Sequence, residues 1–278
     1  MPRLGVLGWP VAHSRSPAMH GAALRRTGLD AQGWTYQLLP VPPALFDETV
    51  RALPATGFVG ANVTIPHKEA ALALATDATP RARAIGAANT LTFGPDGAIH
   101  ADNTDAPGTI AALPQDLALA GARAIVLGAG GSARAVVWAL REAGARTAVW
   151  NRSPDRAREL AADLDVEALT AIPSGGAELL VNCTAVGLHD PARTFKDLPV
   201  DADGLGDFRC IADLVYRQGG TELLLAAGRA GCVVVDGLEI LVRQGALSFE
   251  RWTGTTAPLD AMREGARGPA DTRPSPDA

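Results

Sequence analysis

The chain has 278 residues, 47% apolar and 20% charged, which is enough for one large or two ordinary globular domains. Its formal charge of −5 and the lack of a basic stripe argue against a nucleic-acid surface. No apolar run approaches ~20 residues and residues 1–17 carry no secretory pattern, so a soluble, cytoplasmic protein with no membrane partner is expected.

Residues 4–7 read as a buried strand, followed by a helix near 18–27. A second strand is predicted over 34–39, a helix over 43–52, and a third strand over 60–65. Pro66 suits the first position of the next helix. Lys68 then falls in the first helical turn, where unpaired backbone N–H groups create a positive field. An ammonium there is poorly placed for stability alone, which marks Lys68 as a candidate for proton transfer. Residues 90–100 predict a hairpin turning at Gly94-Pro95-Asp96-Gly97. Strands separated by helices imply parallel βα pairs.

A helix over 107–113 leads to a compact apolar run, 124–127, suited to a central parallel strand. Gly128-Ala129-Gly130-Gly131-Ser132-Ala133 follows, then a helix to about 143. A strand, a Gly-x-Gly-Gly turn and a helix in this order let backbone N–H groups meet a pyrophosphate. Gly128 permits the turn, Gly130 the approach of a ligand, and Gly131 with its small neighbours close helix packing. After the next strand, 146–150, an NAD site usually places Asp or Glu. This chain has Asn151-Arg152-Ser153, with Arg156 one turn on. Two guanidinium groups and a hydroxyl suit a 2′-phosphate, which favours NADP over NAD. Solvated arginines, with Ser153 capping the helix 155–164, are the competing reading.

Strands over 179–182 and 210–213, a helix over 222–230 and a strand over 233–235 complete the second unit. Cys183, Cys210 and Cys232 lie too far apart for a local metal-ligand pair and read as reduced core thiols. Residues 238–252 form a long amphipathic helix expected to pack back on the first unit, and the Pro-, Asp- and Arg-rich stretch 265–278 reads as disordered. Near the N-terminus, Ser14 and Ser16 in alternate positions before Pro17 can aim hydroxyls at one carboxylate, although a cap plus a loop serine reads equally well. Asp105, closing Asp102-Asn103-Thr104-Asp105, is by itself an ordinary N-cap.

Together, residues 8–17, 62–68, 88–90, 102–105, 128–133, 151–153, 182–187 and 236–238 resemble the shikimate dehydrogenases, in order over about residues 4–254. The resemblance implies an N-terminal α/β substrate domain, 1–105, completed by a C-terminal helical segment, 238–264. Across a cleft it implies a Rossmann-type NADP-binding domain with a parallel sheet, 106–237. The implied reaction is reversible, NADPH-dependent reduction of 3-dehydroshikimate to shikimate, in aromatic amino acid (chorismate) biosynthesis. The family pattern puts the substrate carboxylate on Ser14 and Ser16 with Tyr216 nearby, and the ring hydroxyls on Thr64, Lys68, Asn89, Asp105 and Gln244. Lys68 and Asp105 match its catalytic pair. Gly128, Ala129, Gly130, Gly131, Ser132, Asn151, Arg152, Ser153, Arg156, Leu214 and Gly237 match its NADP contacts, with no metal.

Trp9, Gly21 and Ser153 depart from the family pattern, the last keeping the hydroxyl of the usual Thr. Closure of the cleft is expected on hinges near 105–108 and 235–238, and a monomer and a homodimer stay open. One rival is an NAD(P)-dependent quinate/shikimate dehydrogenase, against which Arg152 and Arg156 count. Another is a non-catalytic NADP-binding regulator, which has no need of Lys68, Asp105 and the two serines.

Overall fold

In a computed structural model that describes residues 1–173 and 175–268, the strands assemble into two six-stranded sheets. The first unit runs β1 (Arg3–Gly8), α1 (Ser16–Thr27), β2 (Thr35–Pro40), α2 (Phe46–Ala52), β3 (Phe58–Val63), α3 (Lys68–Leu74), β4 (Asp77–Ala78), α4 (Pro80–Ile85), β5 (Thr90–Phe93), β6 (Ile99–Asp102) and α5 (Asp105–Ala112). Its sheet order is β2-β1-β3-β5-β6-β4. β1 lies parallel between β2 and β3, which is why its residues after Arg3 form a continuous buried run. The hairpin β5–β6 joins antiparallel, with Gly97 in the left-handed region at φ 81° within its turn.

The second unit runs β7 (Arg123–Leu127), α6 (Gly131–Glu142), β8 (Arg146–Trp150), α7 (Pro154–Leu164), β9 (Glu167–Leu169), β10 (Ala177–Asn182), α8 (Thr194–Asp197), β11 (Phe208–Asp213), α9 (Glu222–Arg229) and β12 (Val233–Asp236). All of its strands are parallel, in the order β12-β11-β10-β7-β8-β9. Read from β9 this is the 3-2-1-4-5-6 order of a Rossmann unit, and the order reverses between β7 and β10. Crevices that take ligands open at such a point.

The chain ends with α10 (Gly237–Thr253) and α11 (Leu259–Arg267). The α10 N-terminus is capped by Asp236, whose side chain accepts the Leu238 amide at 2.9 Å. Its buried stripe, including Val242, Ala246 and Phe249, packs with Met19, Ala23 and Leu24 of α1 and with Met262 of α11. Trp252 Nε1–H donates to Leu91 O at 2.9 Å, tying α10 to β5. Gly108 lets α5 and α10 touch, since a Cβ there would stand 2.7 Å from the Gln244 backbone nitrogen. Among the described residues, no helix is long and apolar enough to cross a membrane.

Several sequence expectations shift. The helix expected over 43–52 is a 3₁₀ turn, Pro43–Leu45, followed by α2. Pro66 does not open α3; it follows a cis peptide bond inside a turn closed by the His67 amide on Thr64 O, and α3 starts at Lys68. The helical segment expected over 238–264 is broken at Gly254, where φ is 65°, into α10 and α11. The stretch expected to be disordered from 265 begins inside α11. Gly265 packs on α1, where a Cβ would lie 2.6 Å from Ala18 O. Its remainder, 269–278, lies outside the described residues.

Candidate active site

The turn before α3 is pinned from behind. His67 stacks on Phe46 with ring centroids 4.4 Å apart, and its Nε2–H donates to Val41 O at 2.7 Å. This anchorage puts Lys68 at the first position of α3 with its side chain only 8% exposed. Its ammonium donates to Asp105 Oδ2 at 2.6 Å and to Ser132 Oγ at 2.8 Å. Asp105 opens α5, where the helix field favours a carboxylate. Thr104, not Asp105, takes the N-cap position, so the Asp105 side chain is free to face the cleft. The ordinary-cap reading of Asp105 fails on that geometry.

The second carboxylate oxygen, Oδ1, accepts from Asn89 Nδ2 at 2.8 Å. Asn89 Oδ1 accepts the Thr104 amide at 2.7 Å, and its amide group also lies 3.0 Å from Gln244 Oε1. Beneath these groups Asn62, Thr90, Thr104 and Ser248 are all buried and hydrogen-bonded to one another. Buried polar groups satisfied this completely fix one geometry, and here they fix Asn89 and Gln244. The signals for this network were weak but present: Ser248 lies one helical turn after Gln244, and Thr104 directly precedes Asp105.

A cavity of about 180 Å³ separates the two units, and Ser14, Ser16, Thr64, Lys68, Asn89, Asp105, Tyr216 and Gln244 all border it. Ser14 Oγ accepts the Ser16 amide at 3.3 Å. The Arg15 amide points at Tyr216 Oη, 3.4 Å away. Burial holds the Tyr216 phenol above its ordinary value, so at neutral pH it keeps its proton. Cys183, expected in the core, borders the same cavity. Burial pushes its thiol well up, which makes it a poor nucleophile.

On the Rossmann side, Ser132, Leu214 and Gly237 reach this cavity. Gly128, Ala129, Gly130, Asn151, Arg152, Ser153 and Arg156 do not border it. The latter lie in the turn after β7 and, beyond the end of β8, in the loop and first turn of α7, β7 and β8 being neighbouring parallel strands. Gly128 sits at φ 112° and its missing side chain lets the turn approach Cys183, whose carbonyl oxygen would lie 3.2 Å from a Cβ. A Cβ on Gly130 would meet nothing within 4 Å, so the turn is open there to a ligand. Gly131, expected to serve helix packing, lets the start of α6 approach the start of α3: a Cβ there would lie 2.7 Å from that of Lys68. Ser132 spends its hydroxyl on Lys68, and Ser153 makes no side-chain cap.

The open glycine turn, the first turn of α6 with no acidic residue, and two exposed arginines beyond β8 fit a phosphorylated dinucleotide. Arg156 lies 4.0 Å from Glu69 of the other unit. Among the described residues no group of three or more His, Cys, Asp or Glu side chains could hold a metal ion. A nucleotide crevice that opens on a buried amine–carboxylate pair defines the class: a two-domain, dinucleotide-dependent oxidoreductase.

Comparison with known proteins narrows the class. Residues 6–91 match the family described as "Shikimate dehydrogenase substrate binding domain", 111–183 "Shikimate / quinate 5-dehydrogenase", and 237–266 "Shikimate 5'-dehydrogenase C-terminal domain". A shikimate dehydrogenase (NADP(+)) of Methylobacterium radiotolerans is 49% identical over 91% of this chain and 92% of its own. The structure of shikimate 5-dehydrogenase from Thermus thermophilus in complex with NADP(H) and shikimate is 41% identical, with TM-score 0.84 over 96% of this chain and 99% of that one. A 5-ketofructose reductase of Gluconobacter shares the fold at 32% identity and TM-score 0.81, over 95% and 97% of the two chains. The chain belongs to the shikimate dehydrogenase family.

Proposed function

We propose that this chain interconverts 3-dehydroshikimate and shikimate with NADP(H), as a cytoplasmic enzyme of aromatic biosynthesis. The observation that carries the reading is the Lys68 ammonium, buried in the cleft and held at 2.6 Å by Asp105. NADPH, when bound, supplies the hydride that reaches the ketone carbon. Lys68 Nζ gives its proton to the ketone oxygen as that oxygen gains alkoxide character, and takes it back in the reverse direction. Two of the three ammonium protons are engaged by Asp105 and Ser132, which leaves one directed at the substrate. Asp105 orients the ammonium and shares the adjacent substrate hydroxyl.

Ser14 and Ser16 hold the substrate carboxylate with the Tyr216 phenol as a further donor. Thr64, Asn89 and Gln244 take the ring hydroxyls. The backbone amides of residues 128–132 meet the pyrophosphate, and Leu214 and Gly237 line the nicotinamide end. Asn151, Arg152, Ser153 and Arg156 receive the adenosine 2′-phosphate, which accounts for NADP over NAD. The test follows reduced-nicotinamide absorbance while shikimate or quinate is offered with NADP or NAD. A kcat/KM highest for shikimate with NADP supports the reading. Equal activity on quinate, or a preference for NAD, overturns it. In the active enzyme, Lys68→Ala should lower kcat about 10²–10⁴-fold, and an unchanged kcat would remove Lys68 from its role.

A further inference from the structure

A second cavity, about 970 Å³, opens beyond the substrate-binding end of the cleft. It shares His13, Ser14, Leu188 and Tyr216 with the inner cavity, so the two adjoin at Ser14. Neither the glycine turn nor residues 151–156 border it. It therefore lies apart from the proposed pyrophosphate and 2′-phosphate contacts.

Three arginines from remote parts of the chain border this outer cavity: Arg15 at the start of α1, Arg217 after β11, and Arg267 at the end of α11. Arg217 is aimed by its own guanidinium, which donates to Leu188 O at 3.0 Å. Arg15 reaches the end of α11, its Nη1 lying 3.2 Å from where a Gly268 Cβ would stand. Among the described residues, Asp236 is the one carboxylate in the wall. Burial, with the neighbouring His189, holds the His13 imidazole below its ordinary value, so His13 adds little charge at neutral pH. Among the described residues the wall is net positive, in a chain whose formal charge is −5. A locally inverted field at the mouth of a cleft concentrates and guides small anions.

We propose that this outer cavity is the access vestibule for the substrate: a cationic antechamber that takes up a small carboxylate-bearing polyol and passes it to Ser14 and Ser16. The inference rests on the anionic substrate proposed above and adds a side of entry for it.

The test compares wild type with Arg267→Gln and Arg267→Glu, and with Arg15→Gln as an independent probe, in shikimate oxidation across a range of salt. At low ionic strength, kcat/KM for shikimate should fall in steps, about twofold for a lost charge and about three- to fivefold for the reversal. The kcat and the KM for NADP should stay within twofold. Near 1 M salt, where the Debye length is about 3 Å, the variants should converge on wild type. An Arg267→Glu enzyme with unchanged kcat/KM at low salt overturns the vestibule, as does a deficit that persists at high salt. Wild type inactive on shikimate at every salt concentration would sink the substrate assignment and the vestibule with it.

Discussion

Asp102 is the carboxylate on which the floor of the site depends most. Its side chain is 4% exposed and accepts from Thr79 Oγ1 at 2.7 Å, Arg81 Nη2 at 2.9 Å, Arg251 Nη2 at 2.8 Å and the Asn103 amide at 2.7 Å. It thereby clamps α4 and α10 onto β6, directly before Thr104 and Asp105. Asp102→Asn keeps the shape but points an amide donor at one or both guanidinium groups. Breaking a buried, hydrogen-bonded ion pair typically costs about 3–5 kcal/mol. Arg81 and Arg251 are 33% and 35% exposed and can recover water, so the lower end, roughly 3 kcal/mol, is expected. At the ~2–4 °C per kcal/mol usual for larger domains, Tm should fall by roughly 6–12 °C at pH 7.

The pH dependence carries the sign. Burial alone would raise the Asp102 carboxyl, but the Thr79 hydroxyl, Arg81, the Asn103 amide and Arg251 together hold it below its ordinary 3.8. Its stabilisation is therefore complete above that ordinary value and disappears as pH falls through the lower folded value. Thermal unfolding of wild type and variant from pH 7 down to about 3 measures it. The gap between them should narrow on acidification below 3.8. A gap equally wide at both ends would show that shape, not charge, makes Asp102 matter.

Ser132→Ala removes an acceptor from the Lys68 ammonium and should lower kcat about fivefold to tenfold, with KM for NADP within twofold and recovery in Ser132→Thr; a rise in KM for NADP alone would confine Ser132 to the cofactor. His20, fully buried and stacked on Tyr36, is pushed by burial down to about 3, so its neutral form stabilises the fold above 6.5 and that contribution falls away as pH drops toward 3. Wild type should lose roughly 2 kcal/mol between pH 7 and 5 from this residue, and denaturant titrations of His20→Phe should be flatter there; equal slopes would refute it. Arg152→Gln with Arg156→Gln should cut kcat/KM for NADP roughly 10- to 100-fold while leaving NAD within threefold. A parallel loss with both cofactors would place these arginines elsewhere than on the 2′-phosphate.

What the sequence disclosed, it disclosed through local chemistry. The strand 146–150 is β8 itself, because a short apolar run bounded by the polar Asn151-Arg152-Ser153 matches a strand buried between two parallel neighbours. The Gly128–Ser132 turn and the hairpin at Gly94–Gly97 likewise need specific residues at fixed places. Elements held by distant partners were not legible. β4 is two residues long and exists because Asp77 and Ala78 pair with β6. The last turn of α11, from Gly265, looks like a polar tail until α1 offers its small face, at Ala18 and Ala22, to Gly265. Lys68 stood out, yet its contact with Ser132 crosses 64 positions and two domains, which no local pattern records. The buried floor of Thr90, Thr104 and Ser248 was missed for the same reason: small hydroxyl residues acquire meaning only from who surrounds them.

The way α10 and α11 close over β3, β5 and α1 bears on how this protein is made. Gln244, supplied by the last tenth or so of the described chain, borders the pocket, and Ser248 one turn on holds Thr90 beneath the substrate-side wall that the first hundred or so residues build. The Rossmann half, by contrast, has every strand it needs once β12 is synthesised. On a ribosome the nucleotide half can therefore mature first, while the older, N-terminal half waits unfinished for its C-terminal helices. A released chain truncated after Asp236 should protect the second sheet from protease and leave the first one vulnerable.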